Sequence, residues 1–148
     1  EKYRETLDNV VWLVLFLPLV ISSGGNTGSQ SVTLIIRALT TKEISPKDWV
    51  AVVWRELMMG LLLGAFLAAI GYLAGCFLAP SPEDALVIPI TLMLVVVCGA
   101  MLGALLPLLF QKMGLDPALM STPFVAGIID IVGILLYMNV ALFLLHQF

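Results

Sequence analysis

Asp130 is the residue most clearly placed to do chemistry, because it stands alone in a long apolar run. It follows Pro117 by thirteen residues and precedes Leu145 by fifteen. At 1.5 Å per residue of helix, that position is about 20 Å along the axis and near the middle of a bilayer. An ionised carboxylate there costs about 2.5–3.5 kcal/mol on insertion scales unless it faces a cavity, a partner or a cation. We therefore predict a cation or proton site at Asp130. The structural alternative is a protonated acid that is hydrogen-bonded to a neighbouring helix.

The residues one helical turn from Asp130 are mostly small, namely Ala126, Gly127, Gly133 and Ile134. Small neighbours leave room for water or a hydrated ion, and they also permit close helix packing. We count Asp130 as the only carboxylate at membrane depth, with no lysine or arginine at the same depth. Two copies related by a two-fold axis would bring two such carboxylates to one pore, so we predict a homodimer.

A polar run at residues 22–31 is the second candidate for chemistry. It contains three glycines, and its seven other side chains all carry a hydroxyl or an amide. An interrupted helix is tolerated at membrane depth only where its backbone is buried in protein or lines water. We expect an interruption that exposes backbone carbonyl groups at Gly24, Gly25, Asn26 and Gly28. Oxygens of Asn26, Thr27 and Gln30 would add ligands for a hard cation or its water shell. A re-entrant turn and a polar helix seam are the alternatives.

The composition shows which elements must position these residues. The chain has 148 residues, of which 61% are hydrophobic and 11% charged, and its mean hydropathy is +1.09. These values indicate an all-α integral membrane protein rather than a soluble domain. We predict one transmembrane domain over residues 1–148. Its four transmembrane helices lie at about residues 10–39, 50–78, 86–110 and 117–145, and the first has a polar, glycine-rich centre.

Other classes of function find no support in the residues. No basic tract appears, so we expect no nucleic acid partner. No catalytic grouping of serine, histidine and acid occurs, and no metal-binding spacing of histidine and cysteine, so we expect a protein that is not an enzyme. The remaining glycine motifs predict close helix contacts only. They are Gly60 with Gly64, Gly71 with Gly75, and Gly99 with Gly103.

Basic residues predict how the helices are oriented in the membrane. Arg37, Lys42, Lys47 and Arg55 flank the first connection, and Lys112 lies in the third. The second connection has acids but no base. By the positive-inside rule, the first and third connections are predicted to be cytoplasmic.

Two stretches carry a resemblance to a known family. The sequence SGGNTGSQS at residues 23–31, followed by TLIIRAL at 33–39, resembles the second membrane helix of the MgtE-type magnesium channels. The sequence DPAL at 116–119, followed by Pro123, Asp130, Gly133 and Tyr137, resembles the last helix of that family. The similarity runs over essentially the whole chain in one register.

The resemblance implies a homodimeric channel in the cell membrane that passes hydrated Mg²⁺ through a pore lined by the first and last helices. Asp130, Ala126, Gly25 and Asn26 match positions that contact the ion or its water shell. Candidate pore-lining residues beside them are Thr27, Gln30, Gly127 and Gly133. Mn²⁺ or Co²⁺ would accept the same oxygen ligands. The family has five membrane helices and cytosolic regulatory domains, so we expect its first helix and those domains to be absent from this chain.

Two other functions stay open at this stage. In a proton-coupled secondary transporter, Asp130 would alternate between its charged and neutral forms. In a structural or assembly subunit, the chain would conduct nothing.

Overall fold

Four long helices make up almost all of this protein. The computed structural model describes residues 2–145, with side chains from Val11 onward. The helices are α1 (Lys2–Thr40), α2 (Trp49–Leu78), α3 (Val87–Lys112) and α4 (Thr122–Leu145), and short 3₁₀ turns lie at Pro46–Asp48, Asp84–Leu86 and Pro117–Leu119. Each of the four is long and apolar enough to cross a membrane. The described residues form no strand, so the predicted all-α membrane fold is confirmed.

The polar centre of α1 is helical throughout, so the predicted interruption is wrong. Two hydroxyls in this stretch bond within the helix: Ser23 donates to the Leu19 carbonyl at 2.6 Å, and Thr27 donates to the Ser23 carbonyl at 2.7 Å. A serine or threonine that bonds back to the preceding turn needs no partner outside its helix. Polar side chains can therefore occupy an unbroken helix at this depth.

Glycines bring α1 into close contact with α3. A Cβ atom added at Gly99 would lie 2.7 Å from the carbonyl oxygen of Gly24, and one added at Gly103 would overlap the carbonyl of Gly28. Only glycine lets the two backbones approach to this distance. The motif in the third span is therefore a packing motif, as predicted. Gly24 and Gly28 belong to the same contact, whereas the sequence had suggested that they expose carbonyls.

α3 lies at the centre of the bundle and contacts the other three helices. Fully buried side chains of α3, including Ile88, Leu92 and Val95, pack with Val20 of α1. The buried Tyr137 hydroxyl of α4 donates to the Leu13 carbonyl of α1 at 2.7 Å. Because α1 is bonded and packed to both neighbours, α1 and α4 hold a defined position relative to each other.

The fourth span is shorter than predicted. Pro117 starts a 3₁₀ turn in which Asp116 accepts a hydrogen bond from the Ala118 amide at 2.8 Å, and α4 begins only at Thr122. A proline favours the first turn of a helix and fits poorly further inside, which accounts for separate starts at Pro117 and next to Pro123. Asp130 is thus eight residues into α4, or about 12 Å from its start, rather than at its middle.

Candidate cation-binding site

Asp130 faces α1 across an open cavity of about 480 Å³. A second space of about 510 Å³ adjoins it and shares Asn26 and Ser29 as lining residues. We call the two together the polar groove. Its first part is lined by Leu17, Pro18, Ile21, Ser22, Gly25, Asn26, Ser29, Ala126 and Asp130, and its second by Asn26, Ser29, Gln30, Thr33, Leu34 and Thr122.

One stripe of α1 supplies most of the polar groups of the groove. Ser22, Gly25, Asn26, Ser29 and Thr33 follow one another at intervals of one, three or four residues, which places them on one face of a helix. α4 supplies the opposite wall, with Ala126 one turn before Asp130.

Gly25 is the point where α1 comes closest to the carboxylate. A Cβ atom added there would lie 2.8 Å from Oδ1 of Asp130. Any side chain at this position would displace the carboxylate, so glycine is required for the observed approach. The Asp130 oxygen and the α1 backbone therefore face the same small volume.

Asp130 is half-buried, and among the side chains that the structure describes none donates a hydrogen bond to it or forms an ion pair with it. Nor do the described residues include any cluster of three or more histidine, cysteine or acidic side chains. The groove of one chain thus contains one carboxylate, together with the neutral oxygens of Ser22, Asn26 and Ser29. Such a set suits a hard cation that keeps most of its water.

The structure brings four of the predicted site residues together: Asp130, Ala126, Gly25 and Asn26 all line the first part of the groove. Gln30 lines its second part.

The other three predicted pore-lining residues lie elsewhere in this chain. Thr27 is buried on another face of α1, Gly133 packs with its Cβ position 3.4 Å from a methyl group of Val95, and Gly127 faces open space. Their assignment to a pore stays a prediction.

Sequence reasoning missed four hydroxyl residues of the groove, Ser22, Ser29, Thr33 and Thr122. The Thr33 and Thr122 hydroxyl oxygens lie 3.5 Å apart, where α1 and α4 meet. The three in α1 share helical spacing with Asn26, and that signal becomes visible once α1 is taken as unbroken.

The count of one carboxylate at depth is also wrong. Glu56 lies seven residues inside α2, and its side chain is 6% exposed. Its Oε2 accepts a hydrogen bond from Ser31 at 2.7 Å, and its Oε1 is 2.9 Å from Nη2 of Arg55. We had assigned Arg55 to the membrane boundary and had left the adjacent acid out of account.

Spanning helices that enclose a polar groove with an acidic residue define a class of membrane protein that can hold a cation within the bilayer. Comparison with known proteins gives the family. Residues 17–140 match the family described as MgtE, divalent cation transporter. The chain is 39% identical over 146 residues to the magnesium transporter MgtE of Thermus thermophilus, covering 99% of this chain and 32% of that protein.

Two further relatives carry the same name. The Bacillus subtilis protein is 29% identical, with 98% of this chain and 32% of the relative covered, and the Enterococcus faecalis protein is 27% identical, with 100% and 33% covered. The chain thus spans about a third of the length of these relatives. It belongs to the MgtE family and is a multi-pass protein of the cell membrane.

Proposed function

We propose that this chain is the membrane domain of a magnesium channel, in which hydrated Mg²⁺ passes through a homodimeric pore lined by α1 and α4. The observation that carries the proposal is the polar groove, where Asp130 faces Gly25, Asn26 and Ser29 without a basic partner among the described side chains. Relatives named as magnesium transporters support Mg²⁺ as the ion.

The size and chemistry of the groove fit a hydrated ion. Mg²⁺ dehydrates reluctantly and usually keeps several waters. Six waters occupy roughly 180 Å³ at their share of liquid volume, and the first part of the groove alone measures about 480 Å³. Hydroxyl and amide oxygens on its α1 wall can accept hydrogen bonds from the water shell, while Asp130 supplies negative charge. Mn²⁺ and Co²⁺ present similar shells and belong to the same proposal.

A second copy of the chain completes the site in this account. The groove is open on one side, and one carboxylate balances only half the charge of a divalent cation. A two-fold axis along the open side would place a second Asp130 opposite the first and close the groove into a pore. Each copy would contribute the same α1 and α4 faces.

The test replaces Asp130 with asparagine, which keeps the shape of the side chain and removes its charge. We expect Asp130→Asn to reduce Mg²⁺ uptake into liposomes at least tenfold, because the ion loses the carboxylates that line the groove. The matched control is Asp84→Asn, the same change in the connection before α3, where Asp84 bonds with Ser81 at 2.9 Å. Undiminished uptake by a well-expressed Asp130→Asn protein would contradict the proposal.

The same liposomes separate the competing functions. A channel passes Mg²⁺ down the Mg²⁺ concentration gradient whether or not a proton gradient is present. Uptake that requires a proton gradient would favour the proton-coupled transporter, in which Asp130 carries the proton. Liposomes that admit no divalent ion with the unchanged chain would favour the assembly subunit.

A further inference from the structure

Glu56 is a buried carboxylate that the proposed pore does not use. It lies in α2 among apolar residues, and both of its oxygens accept hydrogen bonds. Oε2 accepts from the Ser31 hydroxyl at 2.7 Å, and Oε1 accepts from Nη2 and Nε of Arg55 at 2.9 and 3.2 Å. Three donors on one carboxylate satisfy the charge at this depth. The charge of Glu56 is thus already paired within the protein, and its contact with Ser31 links it to α1.

Ser31 projects from the side of α1 opposite the polar groove. It is five residues after Asn26 and two after Ser29, so at 100° per residue its side chain points about 140–160° away from theirs. The Ser31–Glu56 hydrogen bond is the only side-chain hydrogen bond between α1 and α2 among the described residues. It thus connects α2 to the rear of the helix that carries most of the groove.

The space behind α1 is not filled by packed side chains. A cavity of about 330 Å³ lies there, and its lining includes Thr27, Gln30, Ser31, Arg55 and Glu56. Close packing normally fixes the rotation of a helix about its own axis. Towards α3 and α4, close glycine contacts and buried side chains already hold α1. Towards α2, where the cavity replaces packing, the hydrogen bond is the directional contact that fixes α1.

We propose that Glu56 is a positioning residue, which holds α1 through Ser31 in the rotation that presents Asn26 and Ser29 to Asp130. This inference rests on the proposed pore function. Glu56 touches neither the groove nor an ion within it; it acts through the helix. Loss of the hydrogen bond releases the α2 side of α1, so α1 can shift towards the rear cavity about its contact with α3. The α1 oxygens then change their position relative to Asp130.

The first experiment measures the rotation of α1 without reference to transport. In the full chain with Cys76 and Cys98 replaced by alanine, Ser29→Cys provides a thiol on the groove side. Its rate of modification by a cationic methanethiosulfonate is compared with and without Ser31→Ala or Glu56→Met. A hydrogen bond to a charged group favours one arrangement about tenfold or more. We therefore expect either change to slow the modification severalfold.

Two control variants distinguish loss of the contact between α1 and α2 from a general loosening of the helix packing. Ser23→Ala also removes a buried α1 hydroxyl, but that hydroxyl bonds within its own helix, so we expect no change in the modification rate. Ser31→Thr keeps the hydroxyl and should restore the rate. Equal slowing by Ser23→Ala and Ser31→Ala would overturn the proposal, as would an unchanged rate in Ser31→Ala. If Glu56→Met does not fold, Ser31→Ala alone decides.

The second experiment measures Mg²⁺ uptake against Mg²⁺ concentration in the chain with its natural Ser29. A positioning role predicts that Ser31→Ala raises the half-saturating concentration severalfold, while the maximal rate changes less. An unchanged half-saturating concentration would contradict the role of Glu56 in the pore. If the unchanged chain shows no uptake but the modification rates change as expected, the proposed function fails and the positioning of α1 by Glu56 stands.

Discussion

The two carboxylates within apolar helices, Asp130 and Glu56, lie on opposite sides of α1 and have opposite surroundings. Glu56 is buried, and three hydrogen bonds from Ser31 and Arg55 satisfy it. Asp130 is half-buried beside an open groove, with no partner among the described side chains. The same chemical group therefore meets two different environments on the two sides of one helix.

The proposed function uses this difference to separate a structural acid from an ion-binding acid. A buried acid that is fully hydrogen-bonded holds helices in place and offers nothing to a ligand. An acid that faces a hydrated cavity keeps its charge available to a cation. α1 lies between the two, so its rear face is bonded to α2 while its front face contributes neutral oxygens to the groove.

The largest effect should follow from moving α1 itself. In Gly103→Ala the new methyl group would overlap the carbonyl of Gly28. That atom is backbone and cannot turn away, so both faces of α1 would lose their positions. We expect a loss of about 1–3 kcal/mol in the free energy of unfolding, measured by thermal unfolding in detergent.

The control for that change is Gly127→Ala, because a methyl group at Gly127 meets no atom within 4 Å. Alanine is the better helix former, so this variant should gain about 0.5–1 kcal/mol. Equal stability of the two variants would contradict the close packing of α1 on α3.

The second prediction compares the two carboxylates directly, in protein free of divalent ions. Glu56→Ala leaves the buried Ser31 hydroxyl without its acceptor, and we expect it to destabilise the protein by about 1–3 kcal/mol. Asp130→Ala removes a charge that has no partner among the described side chains of one chain, so we expect unchanged or increased stability. Thermal unfolding of both variants at the same pH measures the contrast. Destabilisation of similar size in both would show that Asp130 is also a structural acid.

The third prediction has the smallest effect on stability and tests the face of α1 that lines the polar groove. Gly25→Ala places a methyl group 2.8 Å from the Asp130 carboxylate, which is a flexible side chain and can move. We expect Mg²⁺ uptake to fall severalfold, with stability changed by less than about 1 kcal/mol. Gly75→Ala is the matched control, since its methyl group would meet Ala85 at an ordinary 3.4 Å. Equal uptake by the two variants would contradict a role for the Gly25 contact.

The number of helices could be predicted from sequence, because twenty or more apolar residues have few alternatives in a bilayer. Asp130 and the polar run that contains Gly25 and Asn26 could each be predicted as functional, since polar residues at depth require a partner or a cavity. Their assignment to one ion site came from the family resemblance. The unbroken course of α1 could not be predicted from the sequence. Whether a glycine-rich segment bends depends on the helix packed against it, and here α3 presents Gly99 and Gly103.

The role of Glu56 could not be predicted from the sequence, because its burial and its contact with Ser31 depend on how the helices pack. An acid next to an arginine near a helix end resembles a solvated pair at the membrane boundary. Only the bundle shows that Ser31 of α1 reaches Glu56 and that the carboxylate is buried. Thr27 illustrates the same limit, since a residue adjacent to Asn26 in sequence lies on a different face of an intact helix.

The central claim is that Asp130 holds a hydrated divalent cation, and locating that ion tests it most directly. Crystals of the protein grown with Mn²⁺ would reveal the ion by its anomalous scattering. We predict a peak on a two-fold axis between two Asp130 side chains, about 4 Å from the carboxylate oxygens, because a retained water lies between ion and ligand. Absence of a peak near Asp130 at a Mn²⁺ concentration that supports uptake, or a peak at Glu56 instead, would contradict the account.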